Sequence, residues 1–346
     1  MTRYARNIWY VAAWQEYVEA DKPLSVKLLD QPIVLWRAGD EIVAHEDRCP
    51  HRFAPMSLGR CEGASLRCMY HGFRFDADGN CVEIPGQDII PPAARLRKYP
   101  SAVRNELVWI WMGDPAKADP ALIPDTIDPY AGEFAMSVSH LDFEAEGFLL
   151  TQNLLDFSHV SFVHQASFEL GDAHAKKLPK WDSAEYGMDY THWDENIPPP
   201  PFAQSDEESV DFLLCYDFRL PSVMTLRSGI FPAGSAGKYD QGRPDWSEAL
   251  ALSASVQAVT PVSDGKCRYF FSVGALRALG GEEAKQQQFD IAWQAFHEDK
   301  LIIEGQQKVI DQTGEGLPVL SAHDKANTQI ERMIGRMIKM EEQAGL

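Results

Sequence analysis

The segments CPHRFAPM (residues 49–56) and CMYHGFRF (residues 68–75) decide how this chain folds. They place Cys49 and His51 in one pair and Cys68 and His71 in another, with sixteen residues between His51 and Cys68. Two thiolates and two imidazoles suit either one zinc ion or a [2Fe–2S] cluster in which both Cys bind one iron and both His the other. Zinc fingers usually pair Cys with Cys and His with His, whereas here the two types interleave. The pattern therefore favours an iron–sulfur cluster, and with it a protein that handles electrons. Each pair sits on a tight loop, with Gly72 directly after the last ligand. Cys61 and Cys81 lie close by and are read as free, half-buried thiols, because closed sites seldom recruit extra ligands.

Around these loops, residues 1–115 break into short apolar or alternating runs: KPLSVKLLD, IVLWRA, EIVAHED, GFRFDADGNCVEI and ELVWIWMG. Gly, Asp and Pro separate them, which predicts an all-β domain of small sheets. The stretch GDPAKADPALIPD reads as a linker, placed at 116–125, and residues 126–346 form a second domain of mixed type. There, 147–165 reads as a helix, 209–231 and 249–275 as strands, 282–312 as a long amphipathic helix and 322–342 as a shorter one. The fold class is α+β, with an antiparallel sheet and long helices in a helix-grip-like second domain. The polar loops at about 194–208 and 234–247 are expected to be mobile lids where specificity varies.

An electron carrier needs only the first domain, so the second must be explained. It contains Asn153-x2-Asp156-x2-His159-x4-His164. Non-haem Fe(II) that activates dioxygen is held by two His and one carboxylate, with open positions left over. Asp156 and His159 share a face of an ideal helix. His159 and His164 are five apart, about 140° around it, so the spacing predicts a π-bulge or break between them. The third ligand is sought on the apolar stripe Phe289, Ala292, Trp293, Phe296 and Ile303 of the long helix. Asp299 falls on that stripe, and a carboxylate there needs a cation. Glu298 is turned about 100° away, so Asp299 is preferred over Glu298 and Glu304. His297 is assigned to the surface or to the surroundings of the site.

CPHRFAPMSLG and CMYHGFRFD, with RNIWYVAAW before them and LVWIWMGDP after them, resemble the Rieske non-haem iron oxygenases. The likeness is to the branch of vanillate O-demethylase and dicamba demethylase, and it runs from residue 3 to the C-terminal helix. It implies a Rieske cluster on Cys49, His51, Cys68 and His71, and a mononuclear iron on His159, His164 and Asp299. It also implies that Asp156 links His159 to His71 of a neighbouring subunit in a homotrimer, and that Asn153 lies beside the iron. Phe162, Gln257, Trp293 and Phe296 are candidates for substrate contact. Gln257 departs from a His that some demethylases use for a substrate carboxylate.

Composition narrows the setting. A formal net charge of −19 repels nucleic acid and anionic membranes. No stretch is apolar enough for a membrane span, and six Cys, two in the motif and four without paired spacing, suit a reduced, cytoplasmic protein. With no nicotinamide fingerprint, NAD(P)H is expected to act only through a separate reductase, with or without a ferredoxin. Arg48, Arg52, Arg60, Arg67 and Arg74 around the cluster loops are either a docking patch for that partner or solvated loop charges. The expected reaction is monooxygenation of an aromatic substrate with O₂, by O-demethylation or hydroxylation of a methoxylated ring. The alternatives are a Rieske electron-transfer protein with a non-catalytic second domain, an oxygenase of non-aromatic rings, and a zinc-binding interaction module.

Overall fold

The computed structural model describes residues 4–168, 172–199 and 207–345, in two compact units. The first comprises residues 1–123, 260–264 and 337–346, and the second comprises 124–259 and 265–336.

The first unit is built from eleven short strands in three antiparallel sheets. They are β1 (Trp9–Trp14), β2 (Leu24–Leu28), β3 (Gln31–Ala38), β4 (Glu41–Glu46), β5 (Arg60–Cys61), β6 (Ser65–Arg67), β7 (Arg74–Asp76), β8 (Cys81–Glu83), β9 (Lys98–Tyr99), β10 (Ser101–Arg104) and β11 (Leu107–Trp111). The sheets run β1-β11-β10, β2-β3-β4-β9 and β5-β6-β7-β8. β1 and β11 are buried at every residue, which is why both read as unbroken apolar runs. A small core of Val34, Trp36, Met56, Leu66 and Phe75 also takes in Cys49 and Cys68.

The second unit carries a seven-stranded antiparallel sheet in the order β12-β18-β17-β16-β15-β14-β13. Its strands are β12 (Phe134–Phe143), β13 (Lys180–Ala184), β14 (Gly187–Ile197), β15 (Val210–Arg219), β16 (Val223–Pro232), β17 (Ala251–Ser263) and β18 (Lys266–Leu276). Its helices are α1 (Gly147–Leu155), α2 (Val160–Val163), α3 (Asp172–Lys176), α4 (Ser235–Lys238), α5 (Gly281–Thr313) and α6 (Lys325–Gln343), the last of which belongs to the first unit from Met337 onward. α5 packs on β12 and β18, and Phe296 meets Tyr269 and Phe271 edge-on at 5.0 and 4.8 Å between ring centres. Such edge-to-face pairs contribute about 0.5–1.5 kcal/mol beyond the area they bury. β12, β13 and β14 were not expected from the sequence. In β14 both faces are largely buried, so the alternation that marks a strand is missing.

Two expectations need correction. The 147–165 segment is not one helix: α1 stops at Asp156, whose φ of −126° and ψ of 95° are extended, and a 3-10 turn follows at Phe157–His159. The segment at 234–247 is not wholly irregular loop. It holds α4 and a 3-10 turn at Trp246–Glu248, and the buried Ala236 N–H donates to the Asp211 carboxylate at 2.8 Å. Of the other loop, β14 covers the start as far as Ile197, and 200–206 lie outside the described residues. Among the described residues no helix is long and apolar enough to cross a membrane.

Candidate metal centres and the cavity beside them

In the first unit each ligand loop closes in the same way. Cys49 N–H donates to the Ala54 carbonyl and Cys68 N–H to the Phe73 carbonyl, both at 2.8 Å. This leaves the two thiols buried and the two imidazoles exposed. The His51 and His71 rings stand 4.5 Å apart, and His51 stacks on Phe73 at 4.8 Å. Burial pushes the Cys49 thiol up to about 11, and the adjacent Cys68 adds to this, so a thiolate here calls for a bound cation. The donors thus form a buried thiol pair and an exposed imidazole pair, the sorting by donor type that a two-iron cluster uses.

Neighbouring side chains fix both loops. Asp47 accepts from Ser57 N–H at 2.7 Å and Ser57 Oγ at 2.6 Å, bracing the first loop. Arg67 donates to the Gly72 carbonyl at 2.7 Å and is paired with Glu62 and Glu83, bracing the second. Gly72 has φ +77°, and a Cβ there would lie 2.8 Å from Pro85 Cγ, so the turn requires glycine. Arg60 pairs with Glu62 and Arg74 with Glu83. With Arg48 beside Glu46 at 3.9 Å, four of the five loop arginines are therefore paired within the unit. Cys61 and Cys81 remain free thiols, the first half-buried and the second buried.

In the second unit, the interrupted helix and α5 bring His159, His164 and Asp299 together. His159 Nε2 and His164 Nε2 both face Asp299 Oδ1, at 3.4 and 3.2 Å. The expected break between the two His does not occur there. The chain breaks before His159, at Asp156, and the single turn α2 ends at His164, with φ −103° and ψ 31°. The 3-10 tightening and this early ending turn both imidazoles to one side without a π-bulge. Asp156 shares no helix face with His159. Its backbone carbonyl accepts from His159 Nδ1, and its carboxylate accepts from Ser158 N–H at 2.9 Å.

The outer nitrogens test whether this set fits a metal. His159 Nδ1 donates to the Asp156 carbonyl, and His164 Nδ1 donates to Glu298 Oε2 at 2.9 Å. With both protons placed there, the two Nε2 lone pairs converge on one carboxylate oxygen. That arrangement is repulsive without a cation, and it is the donor set that suits Fe(II). Asn153 Nδ2 donates to Asp299 Oδ1 at 3.0 Å, while Asn153 Oδ1 is buried without a partner among the described residues.

Glu298 is the residue the sequence reading passed over. It is turned away from the apolar stripe, but its Oε2 receives both His164 Nδ1 and Ser167 Oγ, the latter at 2.8 Å. The signal available was its position beside Asp299, one residue round the helix. Glu304 pairs with Lys300 at 2.7 Å, and His297 is exposed, with Nδ1 bonded to the Trp293 carbonyl.

A second grouping, His174, His192 and Asp194, is wholly buried. Here the two imidazoles take different oxygens of one carboxylate, at 2.7 and 3.2 Å, so the three form a hydrogen-bonded chain.

His159, His164 and Asp299 open into a cavity of about 170 Å³, walled by Phe157, Phe212, Leu214, Leu226, Ile291 and Phe296. Gln257 also lines it. Phe162 and Trp293 do not, and both are exposed. The polar residues Ser253, Ser255 and Gln288 line it too and were missed, although Ser253, Ser255 and Gln257 alternate at strand spacing.

Known proteins show the same architecture. The Rieske [2Fe–2S] domain family matches residues 8–100, and the vanillate O-demethylase oxygenase C-terminal domain family matches residues 143–340. The iron–sulfur subunit of the toluene-4-sulfonate monooxygenase system of Comamonas testosteroni is 33% identical over 98% of both chains. The oxygenase component of dicamba O-demethylase from Stenotrophomonas maltophilia is 31% identical over 98% of this chain and 99% of that one. The crystal structure of dicamba monooxygenase bound to 3,6-dichlorosalicylic acid superposes with a TM-score of 0.88 at 28% identity, covering 97% and 98% of the two chains. The chain belongs to the Rieske non-haem iron oxygenases, in the branch of the vanillate and dicamba O-demethylase oxygenase components.

Proposed function

We propose that this oxygenase uses O₂ and electrons from a separate NAD(P)H-oxidising reductase to hydroxylate or O-demethylate a methoxylated aromatic substrate. Residues 1–115 form the cluster domain, with Cys49 and Cys68 on one iron and His51 and His71 on the other. Residues 116–125 connect it to a catalytic domain, 126–346, in which His159, His164 and Asp299 hold a mononuclear iron. When bound, the cluster supplies single electrons and the mononuclear iron activates dioxygen toward a C–H bond. The convergence of both Nε2 atoms on Asp299 Oδ1, at the wall of an apolar cavity, is the observation that carries this reading.

The chain's own residues do the positioning. Glu298 and the Asp156 carbonyl hold the imidazoles in the tautomer that leaves Nε2 for the metal. Asn153 keeps the Asp299 carboxylate oriented. Phe296 and Gln257 confine the substrate, and the apolar walls exclude water. Asp156 links His159 to His71 of a neighbouring copy in a closed trimer, in the cytoplasm. Oxygen insertion at a methoxy C–H gives a hemiacetal that breaks its C–O bond to release a phenol and formaldehyde. One O₂, two electrons and two protons are consumed, and one water is formed.

The test is metal and acid-labile sulfide analysis, followed by a screen of methoxylated aromatics with a surrogate reductase. Three irons and two sulfides per chain are expected, with formaldehyde released in step with O₂ uptake. Two irons without a third would instead mark an electron carrier, and zinc alone would overturn the reading.

A further inference from the structure

Resting on that reading, the lining of the cavity says more about its substrate. Among the described residues that line it there is no Lys or Arg, and the two imidazoles present are those facing Asp299. The undescribed segments of this unit, 169–171 and 200–206, contain no Lys, Arg or His either. An anionic ring substituent moved from water into this apolar chamber would have no side-chain cation to meet, and such burial is strongly unfavourable. Uncharged polar groups are present instead, and they are arranged in order.

Ser253, Ser255 and Gln257 lie at alternate positions of β17, so they share one face of the sheet. Ser228 of β16 pairs directly with Ser253 and extends the line. At one end Gln257 accepts from Tyr269 OH at 2.6 Å and donates to Ser255 Oγ at 3.1 Å, so its carbonyl oxygen is in use. At the other end Gln288 Nε2 donates to Ser253 Oγ at 3.0 Å, and Gln288 Oε1 is buried with no partner among the described residues. On α5, Gln288 precedes Asp299 by eleven residues, about 16 Å along the axis, with Ala292 and Phe296 on the same cavity-lining stripe between them. The unpaired acceptor is therefore carried about three helical turns before Asp299, on the same cavity-lining stripe. The chamber, at about 170 Å³, is on the scale of the engineered cavity of about 150 Å³ that takes benzene.

We propose that the substrate is an uncharged, single-ring aromatic carrying an N–H or O–H group, and that the Ser253–Gln288 pair binds that group and so turns the opposite end of the ring toward His159, His164 and Asp299. An amide or a phenol has the required chemistry, and a carboxylate or sulfonate does not.

The test uses the metal-loaded holoenzyme without oxygen and measures binding of 4-methoxybenzamide, 4-methoxybenzoate and 4-methoxytoluene by calorimetry. The amide is expected to bind at least tenfold more tightly than the benzoate. Gln288→Met should remove most of that advantage while leaving 4-methoxytoluene binding unchanged, which also shows that the variant is folded. Gln288→Lys should reverse the order in favour of the benzoate. Equal or tighter binding of the benzoate by the unaltered protein would overturn the proposal, as would failure of the amide to bind. So would a Gln288→Met variant that binds the amide normally. Admitting O₂ and a reductase separates the two claims. Demethylation of a preferred benzoate would keep the oxygenase reading and sink this one. Tight amide binding without formaldehyde or a hydroxylated product would do the reverse.

Discussion

His164 Nδ1 donates to Glu298 Oε2 at 2.9 Å, while the opposite nitrogen of the same ring lies 3.2 Å from Asp299 Oδ1. Two adjacent acids of α5 thus grip one imidazole from both sides, one facing the proposed metal position and the other behind it. Carboxylates behind metal-bound imidazoles typically strengthen metal binding by about 10–100-fold. Glu298→Ala is expected to weaken Fe(II) binding by about that factor, and Glu298→Gln by less, since its amide oxygen still accepts from His164. Competition with a chelator, read against unchanged cluster absorbance, measures this. Wild-type iron retention in the alanine variant would reduce Glu298 to a packing residue.

Asp299→Ala removes the one anionic donor of the second site and touches nothing in the first. The purified variant should retain two irons and two labile sulfides per chain but lose the third iron. Loss of cluster iron as well would mean that the two centres are not held by separate donor sets.

Asp156 carries two separable functions. Its backbone carbonyl orients His159, and its carboxylate caps the turn that follows. Asp156→Asn keeps both contacts and removes only the charge, whereas Asp156→Ala also loses the cap, about 1 kcal/mol. Both variants should keep their metals, and both should be slow to deliver electrons from the cluster to the second site in a single turnover. An asparagine variant that transfers electrons at the normal rate would exclude a charged link through this residue.

His45 sets a pH limit on the first unit. It is fully buried, and Trp36 Nε1 donates to its Nδ1 at 3.1 Å. Burial, with Lys98 adding to it, lowers its pKa to about 4. An unfolded chain protonates this ring near pH 6.5. Between those values the unfolded state binds more protons, so stability is full above about 6.5 and falls as the pH drops toward 4, by about 3 kcal/mol in all. Thermal unfolding followed at the cluster absorbance should show this loss, and His45→Gln should flatten it. An unchanged pH profile in that variant would place the acid sensitivity elsewhere.

Much of this was legible beforehand, and the gaps have physical causes. The pairing of Cys49 with His51 and of Cys68 with His71 could be read because each pair needs only one local turn. The place of Asp299 beside His159 and His164 could be read because an acid on an apolar stripe needs a buried partner. Trp293 was misread on the same stripe. It is exposed because α5 buries a narrower face there, Ala292, Ala295 and Phe296, than the periodicity suggested. β14 was hidden because burial on both faces erases alternation.

By itself, the sequence determined the donor types and spacings offered at both candidate centres, since these are properties of the chain and survive any change of tertiary detail. It also determined the order of the two domains and the long helix that carries Asp299. Only the tertiary structure decided how His159 and His164 come to face the same oxygen, where the break at Asp156 falls, and that Glu298 stands behind His164. It alone aligned Ser253 and Gln288, thirty-five residues apart, across one chamber. Such pairings depend on how a sheet face and a helix stripe meet, and no periodicity within either element encodes that.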